Sequence, residues 1–156
     1  MHPSATTPAR ARALPPSYVA LAILAMAALR VIVPWRLLIP LPWALAGVVP
    51  LGVGVALNLV ADAQLKRHGT TVKPFEESSA LVTTGAYGIC RHPMYLGATF
   101  ILLGLGVILG CATPFVVIPV FVALIETRFV RVEEQMMEDR FGDAWRDYKA
   151  RVGRWL

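Results

Sequence analysis

The sequence predicts an all-α, polytopic membrane protein with about four transmembrane helices, a helical hairpin and a cytoplasmic amphipathic C-terminal helix. Three observations predict it. Of the 156 residues, 56% are hydrophobic and 16% charged, and mean hydropathy is +0.60; this balance suits hydrocarbon better than water. The apolar residues gather into four runs. Lys and Arg flank those runs unequally, as membrane topology requires.

Residues 1–16 are rich in Pro, Ala, Thr and Arg and are expected to be a disordered N-terminus without a cleavable signal. Residues 17–156 then form a single membrane domain. The first span runs from about Ser17 to Val33, with Arg30 near its far end. The second runs from about Pro42 to Ala61, with Pro50, Gly47, Gly52 and Gly54 inside it. The third covers Met94 to Cys111, and the fourth starts at Thr113 or Pro114 and stays apolar through Ile125. Trp35 and Trp43 flank the first connection, as interfacial aromatics do. Gly106 and Gly110 form a GxxxG pair on the third span, which reads as close helix packing. Gly104-Leu105-Gly106 is not a dinucleotide fingerprint, because no strand precedes it.

Charge orients these spans. With both ends and the 62–93 loop on the cytoplasmic side, that side carries thirteen Lys and Arg, leaving Arg30 and Arg36 opposite. The net charge of +5 therefore reads as topology rather than as a nucleic-acid surface. Cys90 and Cys111 fall at opposite ends of the third helix, ~27 Å apart at ~1.5 Å per residue, beyond disulfide reach. No Cys or His cluster has metal-ligand spacing, and His2 and His68 look incidental.

The fourth span is short. Pro114 to Ile125 makes ~18 Å of helix against a ~30 Å hydrocarbon core. Glu126, Arg128, Arg131, Glu133 and Glu134 follow without a helix breaker. One long helix is expected, its charged half at the interface and paired or facing a wet cavity. Gly142 should break it, and Asp143 is a candidate N-cap for a last helix. Met137, Phe141, Trp145, Tyr148 and Val152 recur at helical period opposite Arg140, Arg146, Lys149, Arg151 and Arg154. That amphipathic helix either rests on an anionic membrane surface, the reading its basic face favours, or folds back as a lid.

The residues from Leu81 to Gly97 carry the chemistry. Proline disfavours helix before it and suits the first helical position, so His92 is placed at the N-cap and Pro93 begins the third helix. The amides of Met94, Tyr95 and Leu96 then form an anion site at the interface, with Arg91 as a bidentate clamp. Gly97 lets a ligand or a helix come close. Glu133 and Glu134 point about 100° apart on a helix of 3.6 residues per turn. One suits a cationic amine, and the other suits Arg128 or Arg131. Each residue also has a plainer use: Arg91 as a positive-inside anchor, His92 as a cap, the two Glu as a solvated run, Tyr87 and Tyr95 as interface aromatics. Anion site and carboxylate together describe a zwitterion site.

The run Leu81-Val82-Thr83-Thr84-Gly85, then Tyr87 and Arg91-His92-Pro93-Met94-Tyr95-Leu96-Gly97, resembles the signature of the isoprenylcysteine carboxyl methyltransferase and phospholipid methyltransferase superfamily. The tail is similar too: Arg131, Glu133-Glu134, Met137, Phe141-Gly142, Trp145, Tyr148, Arg151-Val152, with Pro74 upstream. The resemblance covers residues 70–155. It departs at Ala86, where Pro is usual, at Trp145, where Tyr is usual, and at Gly153, where Pro is usual.

The resemblance implies an integral membrane methyltransferase that uses S-adenosyl-L-methionine, with a helical fold. It implies that Tyr87, Arg91, His92, Pro93, Tyr95, Leu96, Gly97, Glu133 and Glu134 bind the cofactor. His92, Arg128 and Arg131 are the candidate catalytic residues, the arginines orienting the substrate. The acceptor would be a prenylcysteine carboxylate, a phospholipid amine or a related lipophilic molecule entering from the bilayer. The expected place is a bacterial inner membrane with both termini cytoplasmic. The competing class is a non-enzymatic four-helix membrane protein. A transporter should hold ionisable groups deep in its spans, but here Asn58 is the mid-span polar residue, Asp62 lies near an end, and the charges gather at one interface.

Overall fold

The computed structural model describes residues 14–69 and 80–156. The expectations for residues 1–13, which include His2, and for Pro74 fall outside the described residues. The described chain is all-α: α1 (Pro15–Ile32), α2 (Val48–Arg67), α3 (Ala86–Ile89), α4 (Pro93–Leu109), α5 (Val117–Ile125), α6 (Arg131–Phe141) and α7 (Asp143–Arg151). A 3-10 turn over Trp43–Gly47 leads into α2, and another over Thr113–Val116 leads into α5.

Two helical stretches, Pro15–Ile32 and Trp43–Arg67, are long and apolar enough to cross a membrane. α4 is apolar but has 17 residues, ~26 Å of helix against ~30 Å of hydrocarbon. Helix α1 starts two residues before the expected span because Pro15 and Pro16 sit in its first turn, where a missing N–H costs nothing.

The closest helix packing is not where the GxxxG pair suggested. Gly97 and Gly104 of α4 lie against Gly54 of α2 and Gly47 of the 3-10 turn before it, backbone to backbone. A Cβ on Gly97 would stand 2.8 Å from the Gly54 carbonyl oxygen. Gly106 instead faces Phe115 and Met26, and Gly110 ends α4 in the left-handed conformation at φ 70°, as glycine does at this position. The core joins α1, α4 and α5 through Met26, Tyr95, Leu102, Phe121, Ile125 and Phe129, with Tyr18 edge-on to Phe129 at 5.3 Å. At the far end, Arg30 Nε donates to the Leu109 carbonyl (3.1 Å) and Thr113 Oγ1 to that of Val33 (2.8 Å).

α5 runs without a break into α6, as the sequence predicts, but through a π-helical turn over Glu126–Val130. Such wide turns often mark functional sites. Gly142, at φ 51°, separates α6 from α7 and is itself the N-cap, so Asp143 is the first helical residue and not the cap. α7 folds back onto the protein. Trp145 and Tyr148 are buried, and the Tyr148 hydroxyl donates to the Tyr87 carbonyl at 2.5 Å. The apolar stripe packs on protein, so the lid replaces the membrane-surface helix.

Candidate functional site

α4, α6 and α7 meet around His92. It occupies the N-cap of α4, as the following proline requires. Its side chain caps nothing and instead lies between two carboxylates: Nδ1 is 3.6 Å from Glu133 Oε2, and Nε2 is 3.4 Å from Glu134 Oε1. The ring is 8% exposed. Burial alone would lower its pKa, but hydrogen bonds and charge from Glu133 and Glu134 outweigh burial and raise it above the ordinary histidine value.

The two glutamates do different work, as their angular separation on the helix predicted. Glu134 is buried and holds the network. It accepts from Arg91 Nη2 at 2.7 Å and Nε at 3.1 Å, and from Arg154 Nη2 at 2.6 Å. Its partners are thus Arg91, His92 and Arg154, not Arg128 or Arg131. Burial favours its neutral form, yet the hydrogen bonds from His92, Arg154 and Arg91 hold its pKa well below the usual carboxylate range. Glu133 faces a cavity and accepts a hydrogen bond from the Tyr95 hydroxyl at 2.5 Å.

Arg91 is a tie and not an open clamp. Its Nη1 donates to the Val152 carbonyl at 2.8 Å, and its backbone N–H to that of Gly153 at 2.9 Å. Its guanidinium lies 5.9 Å from the Trp145 ring centroid, within cation–π range. Arg91 and Arg154 pin the tail on either side of Gly153. Arg154 also reaches Glu126 at 3.1 Å. Sequence reasoning left Arg154 among the basic surface residues; its place in the basic tail gave no cue that it turns inward.

The cavity is about 1060 Å³. Its polar end has Tyr87, His92, Glu133 and Arg140. Its other end runs along Val19 and Ile23 of α1, Asn58 of α2 and Ala98 and Ile101 of α4. Burial and the nearby Glu133 push the Tyr87 hydroxyl pKa up, and burial pushes that of Tyr148 to about 12, so both stay neutral donors. Burial also raises the Cys90 thiol, which keeps it unreactive. Among the described residues no His, Cys, Asp and Glu group could hold a metal ion.

Of the predicted site residues, Tyr87, Arg91, His92, Pro93, Tyr95 and Glu133 line this cavity, and Glu134 backs it. Leu96 and Gly97 are not in its lining. The Leu96 N–H is spent on the His92 carbonyl (3.0 Å), which leaves Met94 and Tyr95 as the early helix donors. Gly97 serves the α2 contact. Arg128 and Arg131 are exposed, and Arg131 pairs with Glu126 at 3.5 Å; neither lines the cavity. Trp145 is 3% exposed and lines the cavity, and its Nε1–H finds no acceptor among the described residues. A buried donor without a partner costs about 1–3 kcal/mol.

Residues 42–144 match the phospholipid methyltransferase family. The chain belongs to this family. The matched segment opens before α2 and closes at the second residue of α7, so it contains the α4 and α6 halves of the site and stops short of Trp145 and Arg154. Membership supports a membrane methyltransferase-type function. Among relatives, the chain is 32% identical over 76 residues to the nickel-cobalt-cadmium resistance protein NccN of Alcaligenes xylosoxydans, covering 49% of this chain and 35% of that protein. It is 31% identical over 86 residues to a mouse delta(14)-sterol reductase, covering 54% of this chain and 20% of that protein. An uncharacterized protein of Haemophilus influenzae is 36% identical over 63 residues, which is 40% of this chain and all of that protein. The chain thus spans about a third and a fifth of the first two relatives.

Proposed function

We propose that this phospholipid methyltransferase family member is a multi-pass enzyme that moves a methyl group from S-adenosyl-L-methionine to a lipophilic acceptor at the cytoplasmic membrane interface. The observation that carries the reading is Glu133: a carboxylate in a cavity whose lining continues along apolar residues of α1 and α4, with Asn58 of α2 as the polar side chain among them. The donor set fits the cofactor. Glu133 suits its ammonium, the early amides of α4 suit its carboxylate, and Tyr87, Tyr95, Met136 and Met137, all in the cavity lining, suit its remaining surface.

When bound, the cofactor supplies an electrophilic methyl group on a sulfonium. The protein's own part is to hold and exclude. Glu134, tied to Arg91, His92 and Arg154, locks α6 and the tail onto the start of α4. α7 closes over the polar end and keeps water out, which aligns the reactants and strengthens charge interactions. His92 has a carboxylate beside each ring nitrogen, so its role is to position Glu133 and Glu134. A carboxylate acceptor needs no base.

The apolar arm of the cavity suits an acyl or prenyl chain lying between helices, and the sterol reductase relative agrees with a lipophilic occupant. We place the protein in a bacterial inner membrane as four spans, α5 with its flanks being the fourth, both termini cytoplasmic.

The test is calorimetric titration of the detergent-solubilised protein with S-adenosylhomocysteine. Wild type is expected to bind, and Glu133→Gln to bind at least tenfold more weakly with an unchanged melting temperature. Equal affinity in both would overturn the assignment. Transfer of radiolabelled methyl into a lipid extract then identifies the acceptor class; transfer into water-soluble material only would remove the lipophilic acceptor.

A further inference from the structure

Among the described residues, Asn58 is the polar side chain that α1 and α2 bring to the cavity wall. It is half-buried and lies across Gly97 of α4: a Cβ on that glycine would collide with its Nδ2 and stand 3.2 Å from its Cγ. Gly97 is one turn beyond Pro93, so the amide sits ~6 Å along α4 from the start of that helix. Nδ2 donates to the Gly54 carbonyl at 3.0 Å, which fixes the way the amide faces. Oδ1 is left without a donor among the described residues, and it is not one of their fully buried polar atoms. It therefore keeps accessible surface, in a wall that Asn58 shares with Val19, Ile23, Ala98 and Ile101. A carbonyl oxygen in such apolar surroundings costs free energy until a donor meets it.

The charged residues of the lining are Arg91 before α4 and Glu133, Asp139 and Arg140 of α6; α1 and α2 bring none. An ammonium beside Asn58 would lack a counter-charge from these two helices. A carboxylate or ether oxygen brings lone pairs to a group that already presents lone pairs. We infer that Asn58 Oδ1 is a specificity-determining acceptor, which holds a neutral hydroxyl or amide N–H on the lipophilic occupant of the cavity. The inference deepens the function proposed above, on which its reading of that occupant as the methyl acceptor rests. The acceptor is then a lipophile with a neutral hydrogen-bond donor near its polar end, and a bare hydrocarbon chain is selected against.

Asn58 is the only asparagine in the chain, so asparagine labelled with ¹³C at Cγ gives a single side-chain carbonyl signal. The experiment reads that signal in the full chain, held in nanodiscs of phosphatidylcholine, a lipid with neither hydroxyl nor N–H. 1-Dodecanol is expected to move the signal downfield, as a carbonyl does on gaining a hydrogen bond. Dodecyl methyl ether, with the same chain and an oxygen that carries no hydrogen, is expected to leave it in place. Titrated by the rise in melting temperature, the alcohol is expected to bind about two- to tenfold more tightly than the ether, the range for one hydrogen bond, and Asn58→Leu to abolish that preference. Equal shifts from alcohol and ether, or none from the alcohol in a protein that binds S-adenosylhomocysteine by calorimetry, overturn the inference and leave the methyltransferase reading standing. A shift from the alcohol alone, in a protein that does not bind S-adenosylhomocysteine, overturns the methyltransferase reading and leaves Asn58 as the reader of a bound lipophile. Neither response overturns both. The wild-type spectrum decides the matter even where Asn58→Leu fails to fold.

Discussion

At the scale of single residues, the site separates a carboxylate that holds from one that faces the ligand. Glu134 is buried among Arg91, His92 and Arg154. Replacing it with Ala strands the buried Arg91 guanidinium and takes an acceptor from His92 and Arg154, so a loss of about 3–5 kcal/mol is expected, read as a lower melting temperature in detergent. Arg154→Ala removes a partner that is a third exposed, and about 1 kcal/mol is expected by the same measurement. Arg128→Ala, at an exposed position away from the cavity, should leave both melting and S-adenosylhomocysteine affinity unchanged. The roles of Glu133 and Glu134 were half-legible in the sequence. Helical geometry separates two adjacent side chains whatever they touch. Which one turned inward depended on Arg154, a residue twenty positions downstream that no local pattern singles out.

At the scale of elements, the α2–α4 contact sets where the site sits, because it fixes the start of α4. It depends on glycines whose hydrogens are the only atoms the gap admits. A Cβ on Gly104 would stand 2.6 Å from the Leu51 nitrogen and one on Gly54 2.8 Å from the Ile101 nitrogen. Gly54→Val should therefore push the helices apart and cost about 1–3 kcal/mol or more. Gly52, on the same helix, has nothing within 4 Å. Gly52→Ala should be neutral or raise stability by up to about 1 kcal/mol, from helix propensity. Thermal melting of the two variants side by side checks both. The sequence shows all these glycines. It does not show which ones meet, since that requires the antiparallel register of two helices.

At the scale of the whole molecule, the lid, the tail and the charged end of α6 share one electrostatic network that links stability to pH. The pKa of His92 is raised in the folded state, so its contribution is complete below about pH 6.5, its unfolded value, and fades as pH rises through the folded value. The pKa of Glu134 is lowered, so its contribution is present above about pH 4.3 and is lost as pH falls further. Maximum stability from this network should lie between about pH 4.3 and 6.5. Melting temperature measured across pH 4 to 9 should decline on the alkaline side, and His92→Gln should flatten that decline. An unchanged alkaline slope in His92→Gln would show that the ring carries no shifted proton.

The sequence by itself determined the class of molecule: helical spans, the proline-defined start of α4 at His92, the break at Gly142 and the family signature around both. Those follow from local rules, since apolar run length, proline and glycine act on the backbone where they stand. Only the tertiary structure decided the partners. It turned the amphipathic tail onto the protein instead of the bilayer, spent Arg91 and Arg154 on Glu134, removed Arg128, Arg131, Leu96 and Gly97 from the cavity, and buried the Trp145 indole N–H without an acceptor among the described residues. A polar side chain takes whichever partner the packing of distant helices brings within about 3 Å, and that choice is written in the contacts between elements rather than along the chain.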